Sequence, residues 1–443
     1  MAATDVRGLV TSKLPRPRAG EGLILILGCA TALFLNHSTR AAGFNLSLAD
    51  PLVVVTFIAL AVARKAILPP YILVYFSVLA AVSVSTAVFV TPALFGTVVD
   101  GTILADLAKL IVCLVYLVCG IGLASLRAHM TILRWFAMGT AAIAFAGVAM
   151  ELTGVRLFPE ITFYGNLRYR GLMVDPNYWA VLACSAIAFF ARDRLLNRGL
   201  RAVLIVGLVF AILLSASKTG FISLVVLTAI LLLERTVKSR RRVELTAMLA
   251  IASMGLVLMW NNFMAFLQEL VERYNDILPQ LNRISVLFND PIGAVSEGGS
   301  GRSATWEGGL AIIESSPFLG VGIGSYPAVN DSLFGSTSVA HNTYLQIAAE
   351  WGLPLTLSFL VWLVILLARS SKIARTHAAP SDVLVLRDMI IVFLIGSMSL
   401  SLNNARMFWL FLGMMVFLIS VKREPRELST NSASDARVGD ILT

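Results

Sequence analysis

The chain has 443 residues, of which 58% are hydrophobic and only 14% are charged. Because a soluble protein carries about a quarter charged residues, this composition excludes an ordinary soluble enzyme and predicts an all-α polytopic membrane protein. The formal net charge of +9 does not indicate a nucleic-acid partner, since cytoplasmic loops of membrane proteins are rich in lysine and arginine. The composition therefore implies that the protein contacts membrane lipids.

Apolar runs that reach or approach the roughly 20 residues needed for a membrane helix recur along the whole chain. They predict about twelve transmembrane helices, some short enough to need tilt or flanking residues. Their approximate bounds in chain order are 22–37, 48–63, 67–90, 104–125, 131–151, 173–191, 202–216, 219–233, 244–262, 344–368, 388–403 and 405–421.

The distribution of basic residues orients these helices. With the N-terminus in the cytoplasm, 24 of the 35 lysines and arginines fall on the cytoplasmic side and nine on the outer side, as the positive-inside rule requires. The prediction thus comprises a cytoplasmic segment 1–21, helices one to nine over 22–262, a large outer loop 263–343, helices ten to twelve over 344–421, and a disordered cytoplasmic tail 422–443.

The nine basic residues on the outer side are unusual, because the same rule disfavours cations there. Each of them is therefore a candidate for a functional role. They are Arg40, Arg156, Arg168, Arg170, Lys218, Arg273, Arg283, Arg302 and Arg406.

Residues 166–180, before and at the start of the sixth predicted helix, read "NLRYRGLMVDPNYWA". Asp175 is a typical helix N-cap and Pro176 a typical first helical residue. The free N–H groups of a helix start, beside Arg168 and Arg170, favour the binding of an oxyanion such as phosphate. The alternative is a capped helix whose arginines only contact lipid headgroups.

Lys218 lies in the short turn "LLSASKTGF", residues 213–221, between the seventh and eighth predicted helices. One interpretation is a lysine that extends to the membrane surface beside a helical hairpin. The other is a cation held among short polar side chains, where it can bind an anion. The turn alone does not decide between them.

The outer loop contains "GSGRSATWEGGLAIIESSPFLGVGIGSY" over residues 299–326. Arg302 and Trp306 are four residues apart, so they share a face if this stretch is helical. The glycines of "GVGIGSY" predict a tight backbone turn where a helix or a ligand approaches. A dinucleotide-binding loop is excluded, because no βαβ unit surrounds these glycines.

The tenth predicted helix is preceded by His341 in "HNTYLQIAAEWGLP". A histidine at a helix start is either an interfacial or capping residue, or a base with a pKa near neutral. The second interpretation is favoured because Arg170, Lys218 and Arg302 are predicted on the same side of the membrane. Several cations and one base are what a pyrophosphate-linked substrate requires.

Five motifs in order, "RYRGLMVDPN", "SASKTG", "GRSATW", "SSPFLGVGIGSY" and "HNTYLQIAAEWGLP", resemble the O-antigen ligase and polymerase family of bacterial envelope polysaccharide assembly. The resemblance covers about residues 165–368. It implies a GT-C-like helical glycosyltransferase of the bacterial inner membrane, with its active site facing the periplasm. The implied donor is a glycan on undecaprenyl pyrophosphate. The implied acceptor is lipid A–core for a ligase, or another glycan end for a polymerase.

The resemblance also implies roles for individual residues. Arg170 and Arg302 would bind the donor pyrophosphate together with Arg168 and Lys218, although many relatives carry arginine at the Lys218 position, and lysine lacks the bidentate fork. His341 would accept a proton from the acceptor hydroxyl in an inverting displacement. Because arginines can match the pyrophosphate charge, neither a metal nor another cofactor is expected. Supporting or acceptor-side roles are expected for Asn342, Tyr344, Asp175 and Trp306.

Two other functional classes remain as alternatives. A transporter would show internal repeats and ionisable residues near mid-membrane, whereas the sequence has no visible repeat and the predicted helices are largely free of charge. A non-catalytic scaffold would leave the outer-side cations without a role. Within the enzyme class, ligase and polymerase both stay open, and the long outer loop favours the ligase because it can fold over a lipid-borne acceptor.

Overall fold

The computed structural model describes residues 19–41, 44–97, 102–165, 167–238, 302–376 and 381–421, together with Glu269 and Arg273. Four sequence predictions lie wholly or largely outside these ranges: the ninth helix at 244–262, residues 263–301 of the outer loop, the tail 422–443, and most of the segment 1–21. Arg283 also lies outside them.

Helices make up most of the described chain. In chain order they are α1 (Ala19–Phe34), α2 (Ala49–Val62), α3 (Pro70–Ser85), α4 (Thr91–Phe95), α5 (Thr102–Ser125), α6 (His129–Thr153), α7 (Pro159–Thr162), α8 (Pro176–Arg192), α9 (Arg198–Leu214), α10 (Lys218–Lys238), α11 (Arg302–Ser315), α12 (Tyr326–Phe334), α13 (Thr343–Trp351), α14 (Leu353–Thr376), α15 (Ser381–Gly396) and α16 (Arg406–Val421). A π-helical turn, Thr86–Val90, joins α3 to α4.

Two short antiparallel hairpins connect helices at one end of the bundle. The first pairs β1 (Thr39–Ala41) with β2 (Phe44–Leu46). The second pairs β3 (Phe163–Tyr164) with β4 (Arg168–Tyr169), so that Tyr164 lies opposite Arg168. The second hairpin therefore presents the first predicted cationic motif.

Five helical stretches are long and apolar enough to cross a membrane: Pro70–Phe95, Ile103–Ser125, His129–Thr153, Lys218–Thr236 and Leu353–Ile373. Shorter apolar helices occupy Gly20–Phe34, Ala49–Val62 and Arg406–Val421. These helices confirm the prediction of a mostly helical membrane protein. The total of twelve spans and the GT-C-like arrangement stay predictions.

Helices α5 and α16 pack closely through glycines. A Cβ atom added at Gly120 would lie 2.1 Å from the carbonyl oxygen of Leu410, and one at Gly413 would lie 2.1 Å from that of Leu117. Small residues at such crossings allow the backbones of membrane helices to approach closely. Close packing matters here because apolar burial drives little helix association within lipid. The resulting contact fixes the start of α16 relative to the rest of the bundle.

The apolar run 344–368, which predicts a single helix, forms two helices. Helix α13 ends at Trp351, and α14 begins at Leu353 after Gly352, whose φ is +77°. The backbone N–H of Leu353 donates to the carbonyl of Pro317 at 2.8 Å. Because Trp351 and Leu353, which flank Gly352, are apolar, the hydropathy pattern does not reveal the break. His341 thus precedes a short helix rather than the membrane-spanning one.

The glycine-rich loop after α11 passes between α13 and the π-helical turn. Gly320, Gly322 and Gly324 all have positive φ. A Cβ atom at Gly322 would lie 2.3 Å from the carbonyl oxygen of Ser83, and Ile323 N–H donates to the same oxygen at 3.3 Å. The predicted reason for these glycines, the close approach of a helix, is confirmed.

A buried ion network lies at the far ends of α8 and α10. Arg192 Nε donates to Asp388 Oδ2 at 2.6 Å, and Arg192 Nη2 donates to Glu234 Oε2 at 2.8 Å. Arg387 binds both of these carboxylates as well. Removing one member of such a buried network leaves an unpaired charge. The network therefore holds α8, α10 and α15 in register.

Candidate functional site

The start of α8 has the structure that its sequence predicts. Asp175 is the N-cap, with φ −126°, and its carboxylate accepts hydrogen bonds from Asn177 N at 2.7 Å and Tyr178 N at 3.0 Å. Pro176 is the first helical residue. The carboxylate of Asp175 thus serves the helix start, which is a structural role at the edge of the site.

Arg168 connects three parts of the site. Its Nε donates to the carbonyl of Ser215 at 2.9 Å, and its Nη2 donates to Asn177 Oδ1 at 2.9 Å. The guanidinium therefore joins strand β4 to the turn before α10 and to the first turn of α8. This contact brings the motif "RYRGLMVDPN" against the motif "SASKTG", as a shared anion site requires.

Arg170 braces its own loop. Its Nε donates to the carbonyl of Ile161 and its Nη1 to that of Val174, both at 3.0 Å, and its Nη2 donates to the carbonyl of Glu160. These acceptors are neutral, so they do not cancel the positive charge of the guanidinium. The sequence predicts only an anion-binding role and gives no sign of this bracing.

Lys218 is the first residue of α10, directly after a tight turn. Ala216 in that turn has φ +47°, and the hydroxyl of Ser217 accepts a hydrogen bond from Gly220 N at 3.0 Å. The hydroxyl groups of Thr219 and Ser399 are hydrogen-bonded to each other. The turn therefore fixes a half-buried lysine at a helix start, where the helix dipole also favours an anion.

His341 lies one residue before the N-cap of α13. Its φ is +48°, a left-handed conformation that is uncommon for residues other than glycine. Asn342 caps the helix, with its side chain accepting from Tyr344 N at 3.0 Å and Leu345 N at 3.2 Å. Asn342 therefore holds the helix start, and its expected acceptor-side role stays a prediction.

Tyr344 is directed into the protein. Its hydroxyl donates to the carbonyl of Leu394 at 2.7 Å, and burial raises the pKa of Tyr344 to about 12. The hydroxyl therefore holds α13 against α15. The structure thus shows a packing role for Tyr344, and its acceptor-side role stays a prediction.

The connection between α15 and α16, residues 397–405, joins the two helix starts. Thr343, two residues after His341, donates its backbone N–H to the carbonyl of Ser397 at 2.8 Å. Ser399 in the same connection bonds Thr219, the neighbour of Lys218. Because one short segment contacts both neighbours, Lys218 and His341 belong to one end of the bundle. The sequence does not single out this connection.

Helix α11 begins at Arg302 and brings that residue's backbone to the same end. A Cβ atom at Gly309 would lie 3.6 Å from the Cβ of Leu345, and Pro317 accepts from Leu353 N. Both pairs are 36 positions apart, so α11 and α13 run parallel and their starts lie at one end. The side chain of Arg302 lies outside the described residues.

The indole of Trp306 lies one turn into α11. Its Nε1–H is buried, and no described residue accepts a hydrogen bond from it. Arg302 and Trp306 lie in one helix, as the predicted shared face requires. Within the described ranges, no three His, Cys, Asp or Glu side chains form a group suited to a metal ion.

Residues 202–360 match the family model described as O-antigen ligase. Over this range the chain is similar to the O-antigen ligase family. The family resemblance of the motifs is thereby confirmed, and with it a membrane function of the O-antigen ligase or polymerase type. No curated protein matches the chain. Lys218, Arg302, Trp306 and His341 lie inside the matched range, whereas Arg168, Arg170 and Asp175 precede it.

Upstream of the matched range, the structure adds a histidine that the motifs do not include. His37 forms a backbone bridge with Leu172 in the Arg170 loop, and its Nδ1 accepts from Leu48 N at 3.4 Å. Burial lowers the pKa of His37, and the nearby charge of Arg406 lowers it further.

Arg406 and Asp50 form an ion pair beneath His37. Arg406 Nη2 donates to Asp50 Oδ2 at 2.7 Å, and Tyr116 donates its hydroxyl to Asp50 Oδ1 at 3.1 Å. The only sequence signal for this cluster is the position of Arg406 among the outer-side cations. His37 has no local motif and is brought to the site by tertiary contacts alone.

Proposed function

We propose that this protein is an O-antigen ligase-type glycosyltransferase. It transfers a glycan from undecaprenyl pyrophosphate to a hydroxyl of lipid A–core or a similar acceptor, at the periplasmic face of the bacterial inner membrane. The observation that carries the proposal is that the neighbours of Lys218 and His341 both bind residues 397–405 at one end of the bundle, with Arg168 bonded to the turn before Lys218.

The orientation of the helices in the membrane follows from the groups that lie at each end of the bundle. Helices α8 and α10 begin at the candidate site and end at the Arg192, Glu234 and Asp388 network. The basic residues flanking that network belong to the clusters that the positive-inside rule assigns to the cytoplasm. The candidate site is then periplasmic, in agreement with the orientation predicted from the basic residues. The proposed protein has twelve spans, both termini in the cytoplasm and a GT-C-like helical architecture.

The donor pyrophosphate would be bound by Arg168, Arg170, Lys218 and Arg302. Guanidinium groups suit phosphate oxygens because their donors form a planar fork, and Lys218 supplies a point charge at a helix start. Arg170 would do so while still bracing its loop. Matching the charge of the pyrophosphate makes it a competent leaving group without a metal ion.

The transfer step is a single displacement with inversion. The acceptor hydroxyl oxygen attacks C1 of the donor sugar, the bond from C1 to the pyrophosphate oxygen breaks, and undecaprenyl pyrophosphate leaves. His341 accepts the hydroxyl proton as the new glycosidic bond forms. Asp175 and Asn342 support the step by fixing two helix starts, and Trp306 would line the acceptor side.

A polysaccharide polymerase of the same family is the alternative. Donor and chemistry are the same, and the acceptor is the non-reducing end of another repeat unit rather than lipid A–core. The ligase is favoured because the long predicted outer loop can cover a lipid-borne acceptor. A transporter is the second alternative, and it would leave the His341 imidazole without a chemical role.

A deletion strain complemented with parent or His341→Ala protein tests the proposal. Lipid-linked and surface glycans are separated by gel electrophoresis. A ligase deletion keeps long chains on the carrier and leaves lipid A–core bare, whereas a polymerase deletion shows single repeats only. Loss of a transporter would instead leave intermediates on the cytoplasmic leaflet. Unchanged glycans in the deletion strain would exclude both enzymatic functions.

A further inference from the structure

Thr343 is the first residue of α13. Its hydroxyl both donates and accepts a hydrogen bond with the connection between α15 and α16. The hydroxyl donates to the carbonyl of Leu400 at 2.6 Å and accepts from the N–H of Leu402 at 2.8 Å. The backbone N–H of Thr343 donates to the carbonyl of Ser397 at 2.8 Å. The residue is 8% exposed. Because buried polar groups depend on such bonds, Thr343 fixes the position of α13 against this connection.

The same connection is fixed from the other side by the helix that carries Lys218. The hydroxyl of Ser399 is hydrogen-bonded to the hydroxyl of Thr219, the next residue after Lys218. Thr219 is itself buried. Residues 397–402 therefore form a bridge between the two helix starts, with Thr343 at one end and Thr219 at the other.

His341 depends on this bridge for its conformation. Its backbone is left-handed, with φ +48°, and such a conformation persists only where the surroundings over-determine it. Only one residue, the Asn342 cap, separates His341 from Thr343. Loosening Thr343 would therefore release His341 without removing any charge from the site.

We propose that Thr343 is a positioning residue for the transfer reaction: its hydroxyl sets the placement of His341 relative to Lys218. This inference rests on the proposed function, in which Lys218 binds the pyrophosphate and His341 accepts the proton. Misplacing a reacting group by about 1 Å can slow a reaction roughly a hundredfold. Donor binding depends on the cations, so the effect falls on kcat rather than on KM.

The test compares three purified variants in proteoliposomes supplied with lipid-linked donor and acceptor. Thr343→Val removes the hydroxyl and Thr343→Ser keeps it. Thr356→Val is the matched control, because Thr356 is also buried and its hydroxyl donates to Ile347 in α13 at 3.0 Å, away from the connection. We expect Thr343→Val to lower kcat roughly ten- to a hundredfold with the donor KM nearly unchanged. Thr343→Ser and Thr356→Val should stay near the parent.

A parental kcat for Thr343→Val would overturn the inference, as would an equal loss in Thr356→Val, which would mean general loosening of α13. If Thr343→Val does not accumulate, Ser399→Ala tests the bridge from its other side and should lower kcat in the same way. A parental kcat for Ser399→Ala would then overturn the inference. His341→Ala and Lys218→Ala are assayed in parallel, because full activity in both would contradict the proposed function itself.

Discussion

The guanidinium of Arg168 donates a 2.9 Å hydrogen bond to the carbonyl oxygen of Ser215, 47 positions further along the chain. This bond places a cation from the β3–β4 hairpin beside the turn that presents Lys218. The motifs that carry Arg168, Arg170 and Lys218 are thus adjacent in space. In the proposed function, the diphosphate group of the donor contacts both motifs at once.

Arg168→Ala should reduce transfer strongly while the protein still inserts in the membrane. A charge-assisted hydrogen bond is worth about 1.5–3 kcal/mol, or roughly ten- to a hundredfold in rate. Arg168→Lys should recover activity only in part, since lysine cannot bind Ser215 and Asn177 with one planar fork. The measurement is glycan transfer by membranes containing equal amounts of each variant.

Arg156→Ala is the matched control for this substitution. Arg156 is another predicted outer-side arginine in the same loop region, and it pairs with Glu151 at 3.8 Å and lies over the ring of Phe163. Its loss should leave transfer close to the parent level. Equal activity of the Arg168 and Arg156 alanine variants would contradict a donor-binding role for Arg168.

Arg302→Ala should also abolish or severely reduce transfer, and Arg302→Lys should restore it only partly. The reason is that α11 begins at Arg302 and runs parallel to α13, which brings its start to the end that carries His341. Binding of radiolabelled lipid-linked donor separates a donor role from an acceptor role. If the variant still binds the donor but does not transfer the glycan, Arg302 acts on the acceptor rather than on the donor.

The topology predicts opposite accessibility for two exposed positions. Thr337, before α13, should be periplasmic, and Asn197, between α8 and α9, should be cytoplasmic. The four native cysteines are all buried, so they should give little background labelling. In spheroplasts, a membrane-impermeant maleimide should label Thr337→Cys, and Asn197→Cys only after lysis. Labelling of both positions in intact spheroplasts would contradict the twelve-span model.

The features that sequence predicts correctly are local ones. The Asp175 cap followed by Pro176 is a matter of adjacent residues. The glycines of "GVGIGSY" belong to the same class, because closely spaced glycines are typical of a backbone with positive φ that another segment approaches closely. Each of these follows from short-range stereochemistry.

The features that sequence misses depend on long-range contacts. Nothing local in "SMSLSLNNA", residues 397–405, shows that Ser399 meets Thr219 or that Leu400 and Leu402 bind Thr343. The break at Gly352 also involves a distant segment, because this glycine packs closely against Phe318 and Gly320. The sequence likewise does not show which groups Arg168 and Arg170 bind, because their hydrogen-bond partners are brought to them only by the folded hairpin.

The stability of the folded protein should depend on the ionisation of Glu350. Burial, with the nearby charge of Asp106, raises the pKa of this carboxyl in α13 to about 8. The folded state therefore favours the protonated form. Its contribution to stability is fully present below the unfolded pKa, near 4.5, and is lost as the pH rises through about 8.

Glu350→Gln should remove that loss, because glutamine is neutral at every pH and still accepts from Gln346. Thermal unfolding in detergent is measured at pH 5 and pH 9. We expect the parent to lose stability between these values and the variant to lose less, so that the variant is the more stable protein at pH 9. Parallel pH profiles for the two proteins would show that Glu350 is already ionised in the folded state.

His341→Ala should lose transfer and still bind the lipid-linked donor, because Arg168, Lys218 and the helix starts remain. Loss of a general base typically costs roughly 10²–10⁴-fold in rate, which brings the activity near the detection limit. His341→Gln separates proton transfer from orientation, because it keeps a hydrogen-bonding side chain with no titratable nitrogen.

The structure sharpens this last test. His341 has a left-handed backbone conformation and lies directly before the capped start of α13, and a rigid element close by helps to place a reacting group. If His341 acts only through orientation, His341→Gln should retain most of the rate. If it accepts the proton, His341→Gln should be as slow as His341→Ala. Transfer by purified His341→Ala at the parental rate would reduce His341 to an interfacial residue and make Asp175 the next base to test.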